Sequence, residues 1–204
     1  MSEIISSGEV LIVSILIGGM VLFFSTHFAR VFFPDLRENL IKRFGVMGWR
    51  GLYSVISLAG LGLIIWGFGE ARQAPNVVWV PPFAFLHVAA TFMLFAFIFL
   101  AAAYLPAGRI KAALKHPMLI SIKIWAIGHL LINGMLAEMI LFGAFLIWAV
   151  MAFIAARKRD RAEGKVYAAG PMRNDLIAII VGTGVWTVFI TFLHEWLIGV
   201  PLFF

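Results

Sequence analysis

Six long apolar stretches follow one another along the chain, and shorter segments between them carry most of the charge. A helix needs about 20 apolar residues to cross the hydrocarbon core of a bilayer, so this pattern predicts six transmembrane helices. Their approximate ranges are 9–33, 48–70, 82–105, 117–133, 135–156 and 175–199. We therefore expect an all-α, polytopic membrane bundle in which residues 1–204 form a single transmembrane domain.

The fourth and fifth stretches lie in one apolar run, residues 117–156, which is too long for one helix and slightly short for two. Asn133-Gly134 is the only break signal inside this run. We expect a tight turn there that closes an antiparallel pair of helices. A single long, kinked helix is the alternative.

Composition supports a membrane protein. The chain is 63% hydrophobic and 13% charged, whereas soluble domains are about 45–50% apolar and about 25% charged. The net charge of +6 fits basic residues that flank membrane spans better than a nucleic-acid partner. No Lys or Arg precedes the first apolar run, so we expect a retained helix rather than a signal peptide. Membrane lipid is the expected surrounding partner.

The basic residues also predict an orientation. Of the 16 Lys and Arg residues, all except Arg72 lie around the first, third and fifth connections between the six stretches. The positive-inside rule places these connections in the cytoplasm and both termini outside. The most basic connection, residues 157–175, is expected to be a solvated loop that sets this orientation.

Histidine is the residue type that suggests chemistry. The sequence lacks cysteine, which excludes thiolate ligands, and it has no phosphate loop, paired carboxylates or HExxH motif. Imidazole within a membrane span usually faces the protein interior, and it is a standard axial ligand of haem iron. The five histidines are His27, His87, His116, His129 and His194, and all except His116 fall within predicted spans.

His129 has the most informative neighbours. Trp125, His129 and Asn133 recur every four residues and should share one helical face. By depth in the membrane, His129 pairs better with His87 than with His27. His116 precedes a proline at the start of the fourth predicted helix, where a contact with the helix N-terminus or with a lipid headgroup is the simplest role.

A second polar stripe lies in the last span. It comprises Thr183, Thr187, Thr191 and His194. These hydroxyls either line a site or bond to helix backbone.

Five motifs give the chain a resemblance to the NnrU family over nearly its whole length. They are STHFARVFFP (25–34), GWRGLYSVISLAGLGLIIWG (48–67), AAYLPAGRIKAALKHPM (102–118), KIWAIGHLLINGML (123–136) and LHEWLIGVPL (193–202). The family is associated with denitrification, in the expression or maturation of nitrite and nitric oxide reductases. It is related to 15-cis-zeta-carotene isomerase, a membrane enzyme that uses haem b.

The resemblance implies haem b bound in the bacterial inner membrane, with His27 and His129 as iron ligands and as the catalytic pair. His87 is the reserve ligand. Arg30 is expected to meet a haem propionate, and Trp125 and Asn133 to pack against or bond to the cofactor. A cysteine implicated in redox switching of the relative has no counterpart here.

Three functions follow as expectations. The first is a haem-dependent, redox-neutral cis–trans isomerase of a lipophilic polyene, in which one histidine leaves the iron and frees a coordination position. The second is a non-catalytic accessory protein that senses a diatomic gas such as nitric oxide or assists reductase maturation. A transporter with a histidine proton relay ranks last, because neither inverted repeats nor paired intramembrane carboxylates are visible.

Overall fold

The computed structural model of the chain describes residues 7–73 and 75–200, except for the side chains of residues 7–12 and of Arg30. Within these ranges the regular structure is helical, and the extended pairing is limited to an isolated bridge between Val77 and Met135. In chain order the helices are α1 (Ser7–Phe32), α2 (Pro34–Ala71), α3 (Phe85–Tyr104), α4 (Arg109–Leu114), α5 (Pro117–Ile132), α6 (Leu136–Ala162), α7 (Met172–Val188) and α8 (His194–Ile198). A π-helical turn, Phe189–Leu193, joins α7 to α8.

The helices that match the apolar stretches have the properties of membrane spans. Four helical segments in the described part of the chain are long and apolar enough to cross a bilayer, and two shorter apolar helices accompany them. The long ones are Pro34–Ala71, Phe85–Tyr104, Leu136–Ala162 and Met172–Ile198, and the short ones are Val13–Ala29 and Pro117–Ile132. The prediction of an all-α membrane protein is confirmed.

The chain forms two compact units. The first comprises the residues up to Val80 together with Asn133–Trp148, and the second comprises Pro81–Ile132 together with the residues from Ala149 onward. Helix α6 contributes its first half to the first unit and its second half to the second. The expectation of one domain over residues 1–204 stays a prediction.

Glycines set the packing of α1 against α2 in the first unit. A Cβ atom built on Gly19 would lie 2.7 Å from the backbone nitrogen of Ile64, and one on Gly60 would lie 2.6 Å from that of Phe23. Gly67 meets the backbone of Leu16 in the same way. Small residues at such points let two membrane helices approach to backbone contact.

Helix α2 is longer than the predicted second span because the preceding connection is also helical. Gly45 interrupts it with φ 73° and ψ 169°, a conformation that glycine adopts at little cost. We call residues 34–44, which precede this break, the arm of α2. The sequence prediction began the second span at residue 48 and missed the arm.

The break at Asn133-Gly134 is confirmed, and the alternative of one long kinked helix is wrong. Helix α5 ends at Ile132 and α6 begins at Leu136. The Gly134 carbonyl accepts hydrogen bonds from the backbone N–H groups of Val78 (2.8 Å) and Trp79 (3.2 Å). A Cβ on Gly134 would collide with the carbonyl oxygen of Trp79, so this turn requires glycine.

In the second unit, α3 packs against α5 and α7. A Cβ on Gly128 of α5 would lie 2.6 Å from the Met93 side chain, and one on Gly182 of α7 would lie 2.5 Å from the Cα atom of Ile98. The buried Ser121 hydroxyl donates a 2.7 Å hydrogen bond to the Ala96 carbonyl. The close contact at Gly128 and the Ser121 hydrogen bond therefore position α5, the helix that carries His129, against α3.

The basic connection between α6 and α7 is largely exposed, as expected of a solvated loop, and structured residues border it on both sides. Helix α6 continues to Ala162. The buried Asp175 carboxylate accepts the backbone N–H groups of Arg109 and Ile110, each at 2.9 Å. It thereby caps the first turn of α4 from a distant part of the chain.

Candidate functional site

His27 lies on α1 within a cluster of aromatic rings of the first unit. Its ring stacks on Phe23 at a centroid distance of 4.0 Å and meets the edge of Trp148 at 5.6 Å. Its Nδ1 atom lies 2.7 Å from the Phe23 carbonyl oxygen. Because a carbonyl only accepts, Nδ1 carries the hydrogen and the lone pair of the neutral ring lies on Nε2.

Trp148 presents a buried donor beside His27. The residue is 8% exposed, and its indole N–H finds no acceptor in the part of the chain that the structure describes. A buried polar group without a partner is uncommon and points to a bound water, ion or ligand. The sequence analysis did not identify Trp148, because nothing local to an aromatic residue in an apolar span indicates that its N–H is buried without an acceptor.

His129, on α5 in the second unit, repeats the geometry of His27. Its Nδ1 atom lies 2.9 Å from the Trp125 carbonyl oxygen, one helical turn earlier. The Trp125 ring is 5.1 Å from the imidazole. Nε2 again carries the lone pair, so the expected neighbour Trp125 orients His129 through its backbone and lies against it through its ring.

Of the two other expected contributors, Asn133 is not placed as the sequence suggested, and the Arg30 side chain is not described. Asn133 follows the last residue of α5, so the helical register that would align it with His129 has already ended. The side chain of Arg30 lies outside the described part of the chain, and its expected propionate contact stays a prediction.

The remaining membrane histidines lie in the second unit and differ in exposure. His87 is exposed, and its ring meets the edge of Phe83 at 5.9 Å. His194 is half-buried and donates from Nδ1 to the Val200 carbonyl at 2.9 Å.

The threonine stripe of α7 bonds to its own helix. Thr187 donates to the Thr183 carbonyl at 3.0 Å, and Thr191 donates to the Thr187 carbonyl at 2.7 Å. The backbone-bonding interpretation of this stripe is therefore the correct one for these two hydroxyls. The π-helical turn that follows changes the register before His194.

His116 lies immediately before α5, where its carbonyl accepts the backbone N–H groups of Leu119 and Ile120. Its ring belongs to a polar cluster of the second unit, and a headgroup contact stays a prediction. Its Nε2 atom donates to the Asp160 carboxylate at 2.7 Å. The Tyr167 hydroxyl donates to the same carboxylate at 3.0 Å, and Arg157 donates at 3.2 Å. Burial raises the pKa of Tyr167, and the hydrogen bond to Asp160 raises it further, so the hydroxyl stays a donor at neutral pH.

Asp160 and Tyr167 are the polar residues that sequence reasoning missed. Asp160 is 4% exposed although it lies in a run of charges that looks solvated. The i, i+3 spacing of Arg157 and Asp160 is the one local sign of a pair. The cluster joins the start of α5 to the end of α6, and within it Nε2 of His116 is bonded to Asp160.

The two imidazoles are donors of the kind that a haem iron takes from a protein. Among the described residues, no three His, Asp or Glu side chains are grouped closely enough to hold a metal ion. A haem iron needs only axial ligands from the protein. A ligating histidine typically donates its second ring N–H to a backbone carbonyl, as His27 and His129 both do.

A groove of about 190 Å³ opens on the first unit near the C-terminal half of α1. It is bordered by Thr26 and Ala29 of α1, by Leu40 of the arm, and by Trp49, Leu52 and Tyr53 of α2. Its lining is almost wholly apolar. Tyr53 also lies against His27, with ring centroids 5.4 Å apart.

Comparison with known proteins gives one family match. No curated protein and no solved structure matches the chain. A family model described as NnrU protein matches residues 15–202. Because this match covers nearly all of the sequence, the chain belongs to the NnrU family.

Proposed function

We propose that this NnrU protein binds haem b in the membrane, with His129 and His27 as axial ligands. The observation that carries the proposal is the shared geometry of the two imidazoles. In each, Nδ1 donates to the carbonyl of the residue one turn earlier, at 2.9 Å for His129 and 2.7 Å for His27. This hydrogen bond places the ring proton on Nδ1 and the lone pair on Nε2, and it holds the ring in place.

The surroundings of His27 support the same proposal. A cofactor with carboxylate groups would supply an acceptor for the buried indole N–H of Trp148, which lies edge-on to the His27 ring. Phe23 and Tyr53 add apolar ring surface on the same histidine. Aromatic surface and one unsatisfied donor are appropriate surroundings for a flat, largely apolar macrocycle with polar edges.

We further propose six membrane crossings with both termini outside. The two short apolar helices then cross along with the four long ones, and every basic residue except Arg72 faces the cytoplasm. In a bacterium this topology corresponds to a multi-pass protein of the inner membrane.

The proposed reaction is a redox-neutral cis–trans isomerisation of a lipophilic polyene. His27 and His129 would hold the haem, which would supply the iron centre for this chemistry when bound. In each histidine the Nδ1–H bonds to the carbonyl of the preceding turn and so holds the imidazole in a fixed orientation. The apolar walls around His27 would exclude water from the site.

Purification and spectroscopy test the haem assignment. We expect purified protein to show a Soret band and a low-spin, bis-histidine spectrum. His129→Ala should lose most of the haem, and His27→Ala should give a five-coordinate, high-spin spectrum that added imidazole converts to low spin. Colourless wild-type protein, after expression with haem in excess, would contradict the proposal.

His116→Ala is the matched control, because it removes a histidine whose Nε2 already bonds to Asp160. It should keep the wild-type spectrum. If His27→Ala is normal while His87→Ala is high-spin, His87 is the second ligand and His27 is not. Normal haem content and spectrum in His129→Ala would refute the central assignment.

Activity distinguishes the enzyme from the accessory protein. We expect the haem-loaded protein in detergent to convert a cis-polyene to its trans isomer without net consumption of reductant. No conversion by a low-spin, fully loaded protein would reject the isomerase and leave the accessory role in nitric oxide response or reductase maturation.

A further inference from the structure

The arm of α2 is an amphipathic helix. Leu36, Leu40 and Phe44 recur every four residues and share one face, and charged residues occupy much of the remaining surface. Leu36 is 48% exposed and Phe44 is 53% exposed, so most of the apolar face is not covered by protein. The arm is tied to α1 by one residue, Phe33, and to the membrane part of α2 by Gly45.

These short connections restrict where the arm lies. Phe33 and Gly45 join it to two apolar helices of the first unit, and Leu40 borders the groove between those helices. A helix with one apolar face and one charged face, held at the ends of membrane helices, lies in the bilayer interface. Lipid of the adjacent leaflet is therefore expected to cover the exposed apolar face of the arm.

The charges on and next to the arm favour one class of lipid in that leaflet. Residues 34–50 contain four basic residues, Arg37, Lys42, Arg43 and Arg50, against two acids, Asp35 and Glu38. All four basic residues are exposed, and no ion pair to a carboxylate is formed by any of them among the described residues. Basic residues on an interfacial amphipathic helix attract anionic lipids.

We propose that the arm and the groove together bind an anionic phospholipid. One acyl chain lies in the apolar groove between α1 and α2, and the phosphate group meets the basic residues of the arm. The inference rests on membrane insertion and not on haem binding. A single phospholipid of this kind would contact the exposed apolar surface, the adjacent groove and the basic residues that lack a carboxylate partner.

The test compares two lipids that differ in headgroup charge. Full-length protein in detergent is titrated with phosphatidylglycerol or phosphatidylcholine, and bound lipid is counted by native mass spectrometry while the melting temperature is followed. We expect phosphatidylglycerol to be retained preferentially and to raise the melting temperature more. Lys42→Gln with Arg43→Gln should weaken that binding by on the order of tenfold.

Lys158→Gln with Arg159→Gln is the charge-matched control, because these exposed residues lie on α6 in the second unit. It should leave the phosphatidylglycerol preference unchanged. Equal retention of both lipids, or equal loss in both double variants, would overturn the proposal, since either result indicates unspecific lipid association.

A groove variant tests the acyl chain separately. Leu52 lines the groove and is 43% exposed, whereas Leu58 on the same helix is 65% exposed and lies outside it. Leu52→Trp should reduce lipid retention, and Leu58→Trp should not. Unchanged retention in Leu52→Trp would refute the groove assignment. Haem content is measured in the same samples, so wild-type protein that lacks haem but binds lipid as expected counts against the proposed function alone.

Discussion

Gly60→Ala should destabilise the first unit and disturb His27, because Gly60 is a point of backbone contact between α1 and α2. The added Cβ would lie 2.6 Å from the backbone nitrogen of Phe23 and 2.9 Å from its Cα atom. Ordinary van der Waals contact begins near 3.4 Å, so the helices must separate by about 0.8 Å at this point. Backbone cannot rotate out of the way as a flexible side chain does.

The cost follows from overpacking. An extra methyl group in a close-packed contact typically costs about 1–3 kcal/mol. Replacing glycine by alanine in a helix also gains about 1 kcal/mol of helix propensity. Gly62→Ala is the matched control, since nothing lies within 4 Å of a Cβ at that position. The propensity gain is common to both variants, and their difference isolates the overpacking cost.

The disturbance should reach the proposed ligand. The Phe23 carbonyl orients His27 Nδ1 at 2.7 Å, and the Phe23 ring stacks on the imidazole at 4.0 Å. When α1 moves at Phe23, the imidazole moves with it relative to α2, whose Tyr53 ring lies 5.4 Å from it. We therefore expect haem to dissociate faster from Gly60→Ala than from Gly62→Ala, with a larger high-spin fraction.

Two measurements check this reasoning. Unfolding of each variant in mixed micelles gives the stability difference, and transfer of haem to an acceptor protein gives the dissociation rate. Equal unfolding midpoints for Gly60→Ala and Gly62→Ala would refute the packing argument. A clear loss of stability with the same haem retention as the wild type would show that displacement of Phe23 does not disturb His27.

Three further predictions address the rest of the chain. In the second unit, Gly182→Ala should unfold earlier than Gly184→Ala, since only the former meets the Ile98 backbone; equal thermal midpoints would contradict this. Tyr167→Phe should lower the melting temperature by a few degrees by removing a donor to Asp160, whereas Tyr104→Phe, whose exposed hydroxyl contacts the Met118 sulfur, should not. A reporter at Ala162 should be cytoplasmic and one fused after Phe204 extracytoplasmic, and both on the same side would exclude the six-crossing topology.

The positions of the helices could be predicted because the hydrocarbon core of a bilayer requires every spanning helix to be long and apolar. Hydropathy located all six apolar stretches, and Asn133-Gly134 marked the break between α5 and α6. The arm was missed because its apolar residues are few and separated by charges, so only their four-residue spacing indicates a helix. The hydrogen bonds from Val78 and Trp79 that hold the Gly134 turn depend on tertiary structure and have no local signal.

Which glycines pack closely could not be read from the sequence. Each of the pairs Gly18 and Gly19, Gly60 and Gly62, and Gly182 and Gly184 contains one glycine in backbone contact and one in open space. Hydropathy does not fix the rotation of a helix about its axis when nearly all its residues are apolar. The same limit applies to Trp148, whose buried N–H becomes meaningful only once its ring is placed against His27.

The candidate ligands differ from the other histidines in what holds their rings. His27 and His129 each bond to a carbonyl of their own helix, so their tautomers are set by local structure within each unit. His116 depends on Asp160, 44 residues away in sequence, and His194 depends on Val200 beyond the end of its helix. A ligand must keep its lone pair in a defined direction before the cofactor arrives, and a hydrogen bond within a continuous helix provides this direction without help from other parts of the chain. This physical argument ranks His27 and His129 above His116 and His194 as iron ligands, independently of the family resemblance.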